Sequence, residues 1–241
     1  MGWGWGYEYY DRPSVAEQRK TAEKRRKQLE KKLGEIHPVL IEGRKIAKTW
    51  WGIAWNKNLE SYADFENRLS RGRSYCTNGF VLDLGIREGE IKAKVSGSSI
   101  YDVKVKIDRL DDKKWQKIVT ACAQRVENIG SLVEGKFPQE LADVFMKRGD
   151  GLFPGPRQIH MSCSCPDGAT LCKHVAATLY GVGNRLDNDP LLFFKLRGID
   201  PDELIRKSVD EKMKNLLVNA GKKTKRVIPD KDVARIFGVE L

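Results

Sequence analysis

Residues 73–108 read RSYCTNGFVLDLGIREGEIKAKVSGSSIYDVKVKID, and within them apolar side chains recur at every second position. Phe80, Leu82 and Leu84 alternate, as do Ile91, Ala93 and Val95, and then Tyr101, Val103, Val105 and Ile107. A period of two places alternate side chains on one face of a strand. Arg87-Glu88-Gly89 and Gly97-Ser98-Ser99 separate the three runs and carry turn residues. The economical reading is a three-stranded antiparallel meander with one apolar face. Its other face carries Lys92, Lys94, Lys104 and Lys106. These form a basic surface if the strand register gathers them, and are separately solvated lysines otherwise.

Outward from this sheet the period becomes helical. Upstream, Trp51, Trp55, Leu59, Tyr62 and Phe65 recur at steps of three or four, which predicts a core-facing helix. Downstream, Trp115, Ile118, Val119, Cys122 and Val126 predict a helix over 111–129, and 137–151 reads as a short one with Pro138 near its start. Farther upstream, residues 14–38 are rich in helix formers, open on a capping Ser14 and stop near Gly34 and Pro38. Apolar positions there are too sparse for a wide core-facing stripe, so this helix is expected to be largely exposed. Its cations, Lys24, Arg25 and Arg26 among them, either lie along phosphates or form a solvated face. Residues 1–13 alternate Gly with Trp and Tyr, the composition of a flexible tail or of an aromatic docking peptide. The fold class expected is α+β: a three-stranded antiparallel sheet with packed helices, and a helical C-terminal region.

Charge narrows the partners. The 241-residue chain holds 44 Lys and Arg against 33 Asp and Glu, a formal charge of +11 that favours polyanions. No run of about eighteen apolar residues occurs, and the N-terminus does not read as a secretory signal. A cytoplasmic protein is expected, and there clustered cysteines point to metal rather than disulfides.

Three of the five cysteines lie in CSCPDGATLCKH, residues 163–174. Cys163 and Cys165, two positions apart, face the same way on extended backbone. Pro166-Asp167-Gly168 turns the chain back, and Cys172 and His174 stand where a helix begins. Three thiolates and an imidazole complete a tetrahedral Zn2+ sphere. A sphere filled by protein ligands marks a structural centre, whereas a catalytic zinc keeps one position for water or substrate. Buried free cysteines beside a core histidine are the alternative.

The order Cys-x-Cys, six residues, Cys-x-His, then an apolar helix resembles the SWIM zinc finger. With TWWGIAWNKNLE, RGRSY, VSGSSIYDVKVKI and CSCPD in sequence, residues 44–200 look like the small bacterial SWIM zinc finger proteins. The resemblance implies Cys163, Cys165, Cys172 and His174 as ligands of one zinc. It also implies association with DNA and with Snf-type helicase-like ATPases. The aromatic tail and the tract beyond Arg197 fall outside it. The division expected is a tail and basic arm over 1–43, an α+β domain over 44–150, the zinc finger and its helix over 151–200, and a helical extension over 201–241.

No Gly-rich phosphate loop is present, and His37 and His160 stand outside any motif. Cys76 and Cys122 read as packing residues, and the carboxylates near the sheet lack a nuclease-like spacing. The chain is therefore expected to be no enzyme but a zinc-stabilised protein that binds nucleic acid, DNA before RNA, or assists a Snf-type ATPase. The alternatives are a pure protein adaptor and, behind it, a metal-dependent nuclease or transposition factor. Candidate nucleic-acid contacts are Arg71 and Arg73 of RGRSY, the four sheet lysines, and Lys24, Arg25 and Arg26, arginine being suited to phosphate by its bidentate fork.

Overall fold

A computed structural model describes residues 13–62, 66–125, 138–147 and 151–220. Strands β1 (Val81–Arg87), β2 (Glu90–Ser96) and β3 (Ile100–Ile107) form the expected antiparallel meander. The sheet nevertheless has four strands, in the order β1-β2-β3-β4. Strand β4 (Ile159–Cys163) pairs antiparallel with β3, with Val103 opposite Cys163 and Ile107 opposite Ile159. The expectation of three strands is corrected by this five-residue element. It is too short for a clear period of two, and its partner lies more than fifty positions away in sequence.

The first apolar run also divides. The register of β1 shifts between Val81 and Asp83. Leu84 joins the main core, whereas Phe80 and Leu82 pack with Ala22 and Leu29 of helix α1 (Val15–Leu33) in a smaller cluster. Those are the two buried residues of α1. The helix is otherwise exposed or half-buried, and opens on a capping box between Ser14 and Glu17. Residues 37–39 lie along the free edge of β1, where Val39 N–H donates to Val81 and Leu84 N–H donates to His37. The edge is thereby covered.

The helix expected through Phe65 ends earlier, as α2 (Trp50–Glu60), and a second helix that was not expected, α3 (Glu66–Thr77), follows; Phe65 itself lies outside the described residues. RGRSY therefore lies in a helix. Both α2 and α3 pack on the long helix α6 (Lys173–Asn188), as the apolar face of the sheet does. Side chains are small where α6 is crowded. A Cβ on Gly72 of α3 would clash with Ala176 of α6, so this crossing requires glycine. Trp55 is buried and donates its indole N–H to the Leu179 carbonyl at 2.9 Å. Asp187 near the end of α6 receives Lys48 N–H at 2.6 Å and Thr49 N–H at 3.0 Å, which fixes the start of α2.

Helix α4 (Asp112–Ala123) is capped by Asp111, and the short α5 (Ala142–Phe145) follows one turn of 3-10 helix at Gln139–Leu141. Val126 and the rest of the expected helix to 129, with residues 137 and 148–150 of the expected short helix, lie outside the described residues. After α7 (Leu192–Leu196), α8 (Pro201–Ala220) starts with Asp200 accepting the Asp202 N–H, and packs on α4. One core cluster draws on residues from Val39 to Leu204, including both the meander and the cysteine-bearing segment. Among the described residues no helix is long and apolar enough to cross a membrane.

Candidate metal centre

The end of β4 and the first turn of α6 bring four donors together. The ligand atoms of Cys163, Cys165, Cys172 and His174 all lie within 4.8 Å of one another, a group that could hold a metal ion. Each is placed by an identifiable local feature. Cys163 is the last residue of β4, and beyond it Ser164 continues the pairing: Ser164 N–H donates to the Asp102 carbonyl at 3.0 Å, and Asp102 N–H donates to Ser164 Oγ at 2.9 Å. The Pro166-Asp167-Gly168 turn is fastened twice. Asp167 accepts the Ala169 N–H, and its other oxygen meets Arg68 of α3 at 2.8 Å. Cys172 is the N-cap residue of α6, and His174 follows in its first turn.

The histidine is oriented by packing. Its Nδ1 faces the sulfurs, 3.9 Å from Cys163 Sγ and 3.7 Å from Cys172 Sγ. A tetrahedral ion with bonds of about 2.3 Å to sulfur and 2.0–2.1 Å to nitrogen sets S···N near 3.6 Å, so these separations fit. The His174 ring lies between Tyr75, whose centroid is 5.5 Å away, and Tyr101, at 4.6 Å. Nε2 is buried without a hydrogen-bond partner. It abuts the turn between β2 and β3, where a Cβ built on Gly97 would come within 2.8 Å of it. That turn is gripped from α1: Arg25 donates to Ser96 Oγ at 3.0 Å, to the Gly97 carbonyl at 2.7 Å and to the Ser98 carbonyl at 2.7 Å.

The imidazole is ready to ligate, whereas the thiols must first lose protons. Burial first, and then the positive charge of Lys173, lower the His174 pKa to about 4, so the ring is neutral and can ligate at physiological pH. Burial pushes the Cys163 and Cys172 thiols up. In the absence of a metal they keep their protons, and a divalent ion must displace them. Lys173, between Cys172 and His174 in the chain, stands over the Tyr75 ring at 5.0 Å. Cys76 and Cys122 are fully buried with thiols pushed up to about 12, the behaviour of packing residues.

The cations singled out in the sequence fare differently from one another. The register sets Lys92 opposite Lys104, Lys94 opposite Asp102 and Lys106 opposite Glu90. Glu90 pairs with Lys92 at 2.8 Å and Lys104 at 2.7 Å, and Lys94 pairs with Asp102 at 2.6 Å. Hydrogen bonds from Lys104 and then Lys92 bring the Glu90 carboxyl down to about 2. The outer face of the sheet is thus a charge-alternating hollow of about 780 Å3 rather than a run of free lysines. Arg73 is paired with Glu60 and lies 5.3 Å from the centre of the Tyr180 ring. Arg25 holds the turn against His174. Lys24, Arg71 and Lys106 are exposed and Arg26 half-buried, and none of these four has an ion pair among the described residues. Sequence reasoning missed Arg68, Gly97 and Tyr101 as supports of the cluster, since each acts through a contact distant in the chain.

No family model matches the chain, and no solved structure matches it. The chain is similar to a protein of Mycobacterium tuberculosis described as uncharacterized protein Rv2102, at 36% identity over 163 residues. That match takes in 66% of this chain, and the chain spans only 58% of the length of that relative.

Proposed function

We propose that the protein is a SWIM-type, zinc-stabilised module without catalytic activity of its own, and that it binds nucleic acid, DNA in the first instance. The observation that carries this reading is the convergence of three thiol sulfurs and one imidazole nitrogen between β4 and α6. Three soft sulfurs with one nitrogen favour zinc over the hard cations that prefer oxygen. Because four protein donors fill a tetrahedral sphere, the metal's part is to tie the sheet to α6. The bound ion carries three thiolates and would make a small anionic centre, which Lys173 offsets.

Nucleic-acid binding is supported by the formal charge of +11 and by cations left without partners on the surface. The two halves of the reading are tested together by chelation. Removal of the metal is expected to abolish the cooperative thermal transition and nucleic-acid binding in parallel, with both restored by added zinc. Unchanged melting and binding after the metal has been stripped would sink it.

Service to a Snf-type ATPase is a compatible second reading, favoured by one observation. Helix α8 leaves Val209, Met213, Leu216, Leu217 and Val218 between 42% and 70% exposed, apolar side chains suited to a protein contact. Native co-purification tests it: recovery of such an ATPase supports the reading, and repeated recovery of the protein alone counts against it.

A further inference from the structure

Resting on the nucleic-acid reading, we infer that the phosphates are held by residues the sequence did not single out. The site is the basic cavity between the 42–48 segment and α2, where Arg44, Lys45, Lys48 and Lys57 meet. All four line one hollow of about 630 Å3. All four are exposed, and among the described residues none has an ionic or hydrogen-bonded partner for its side chain. The neighbouring acids are fewer. Glu60 is engaged by Arg73 and by the Tyr180 hydroxyl, which leaves Glu42 as the one carboxylate of the hollow without a partner among the described residues.

The hollow is held in shape. Within the segment Ile46 and Ala47 are buried, the Ile46 carbonyl accepts from Asn184 of α6, and the Lys48 and Thr49 backbone N–H groups donate to Asp187. Lys57 projects from α2, itself fixed to α6 through Trp55. Four unpaired cations on a rigid concave surface concentrate positive potential more than the same cations along a convex helix do. They need not break existing ion pairs to neutralise phosphate, unlike Lys92, Lys94, Lys104 and Arg73. Ile53, 37% exposed in the same hollow, offers an apolar contact for a sugar. The ligand class is a phosphodiester backbone, and binding here would be insensitive to base sequence.

The test uses the full chain and a fluorescein-labelled duplex DNA of about 20 base pairs, with one of its strands alone as a second probe, titrated over a range of salt. The variant R44Q/K45Q/K48Q/K57Q removes four charges from the hollow. The variant K113Q/K114Q/K212Q/K214Q removes the same charge from α4 and α8. On duplex DNA each lost phosphate contact lowers the slope of log affinity against log salt by about 0.9, so the first variant should lose about 3.6 and the pair K45Q/K57Q about 1.8. The control variant should keep most of the natural slope. A hollow variant with the natural slope, or a control that loses as much, overturns the site and leaves nucleic-acid binding standing. Failure of the natural protein to bind either probe at low salt overturns both.

Discussion

Replacing Gly97 by alanine isolates the contact that aims His174, the imidazole of the proposed metal site. The φ angle of Gly97 is not positive, so alanine meets no backbone strain there and the effect comes from the added methyl alone. That methyl would stand 2.8 Å from His174 Nε2 and 2.8 Å from Tyr101 Cε2, short of ordinary 3.4 Å contact by about 0.6 Å on both sides. His174 cannot yield freely. His174 is backed by Tyr75 and by the sulfurs, and Arg25 holds the turn down through three hydrogen bonds. Overpacking of this kind typically costs about 1–3 kcal/mol, which for a chain of this size is a Tm lower by about 2–4 °C per kcal/mol. Disturbed support of a metal-bound histidine typically weakens metal affinity by about 10–100-fold. Gly168, in the turn between Cys165 and Cys172, provides the control, because a Cβ there meets nothing within 4 Å and its φ is not positive. The assay is competition for zinc against a chromophoric chelator, beside thermal denaturation, for the natural protein, Gly97→Ala and Gly168→Ala. Equal affinity and Tm for Gly97→Ala and the natural protein would refute the packing argument.

Four further outcomes are expected. Cys172→Ser should lower metal content and thermal stability together, and a normal metal stoichiometry in that variant would remove Cys172 from the ligand set. Arg25→Ala should lower Tm through the loss of the grip on residues 96–98 while leaving the salt slope of DNA binding within about 0.5 of the natural value. A fall near 0.9 would show that Arg25 contacts phosphate instead. Zinc affinity should rise with pH near neutrality, because the Cys163 and Cys172 thiols, pushed up by burial, must release protons to bind while His174, with its pKa at about 4, has none to lose. A pH-independent affinity, measured by chelator competition between about pH 6 and 8, would contradict that protonation scheme. Arg197→Ala should destabilise the fold by about 2–4 kcal/mol in chemical denaturation. The side chain is 1% exposed, donates to the Asp108 carbonyl at 2.8 Å and ties α7 to the end of β3, so a loss below about 0.5 kcal/mol would discount that tie.

Local signals carried well from sequence to structure. The period of two and the turn residues placed β1, β2 and β3, and Ser14 caps the helix that follows it. The spacing of CSCPDGATLCKH grouped four donors that the fold does bring together. What escaped was non-local. Strand β4 exists because β3 offers it an edge, and Phe80 and Leu82 leave the core face because a register shift turns them toward α1. The end of α2 at Glu60 is marked by no Gly or Pro in the sequence, and both α2 and α3 dock on α6, a partner distant in the chain. Charge was the least legible property. A run of lysines gave no sign that Glu90 would neutralise two of them, or that the unpaired cations would gather around residues 44–57.

The most direct test of the central claim is X-ray absorption spectroscopy, with elemental analysis, on the full chain purified without added chelator. One zinc per chain is predicted, bound by three sulfurs at about 2.3 Å and one nitrogen at 2.0–2.1 Å with no oxygen neighbour. Absence of a stoichiometric metal, or an exchangeable water in the coordination sphere, would contradict it.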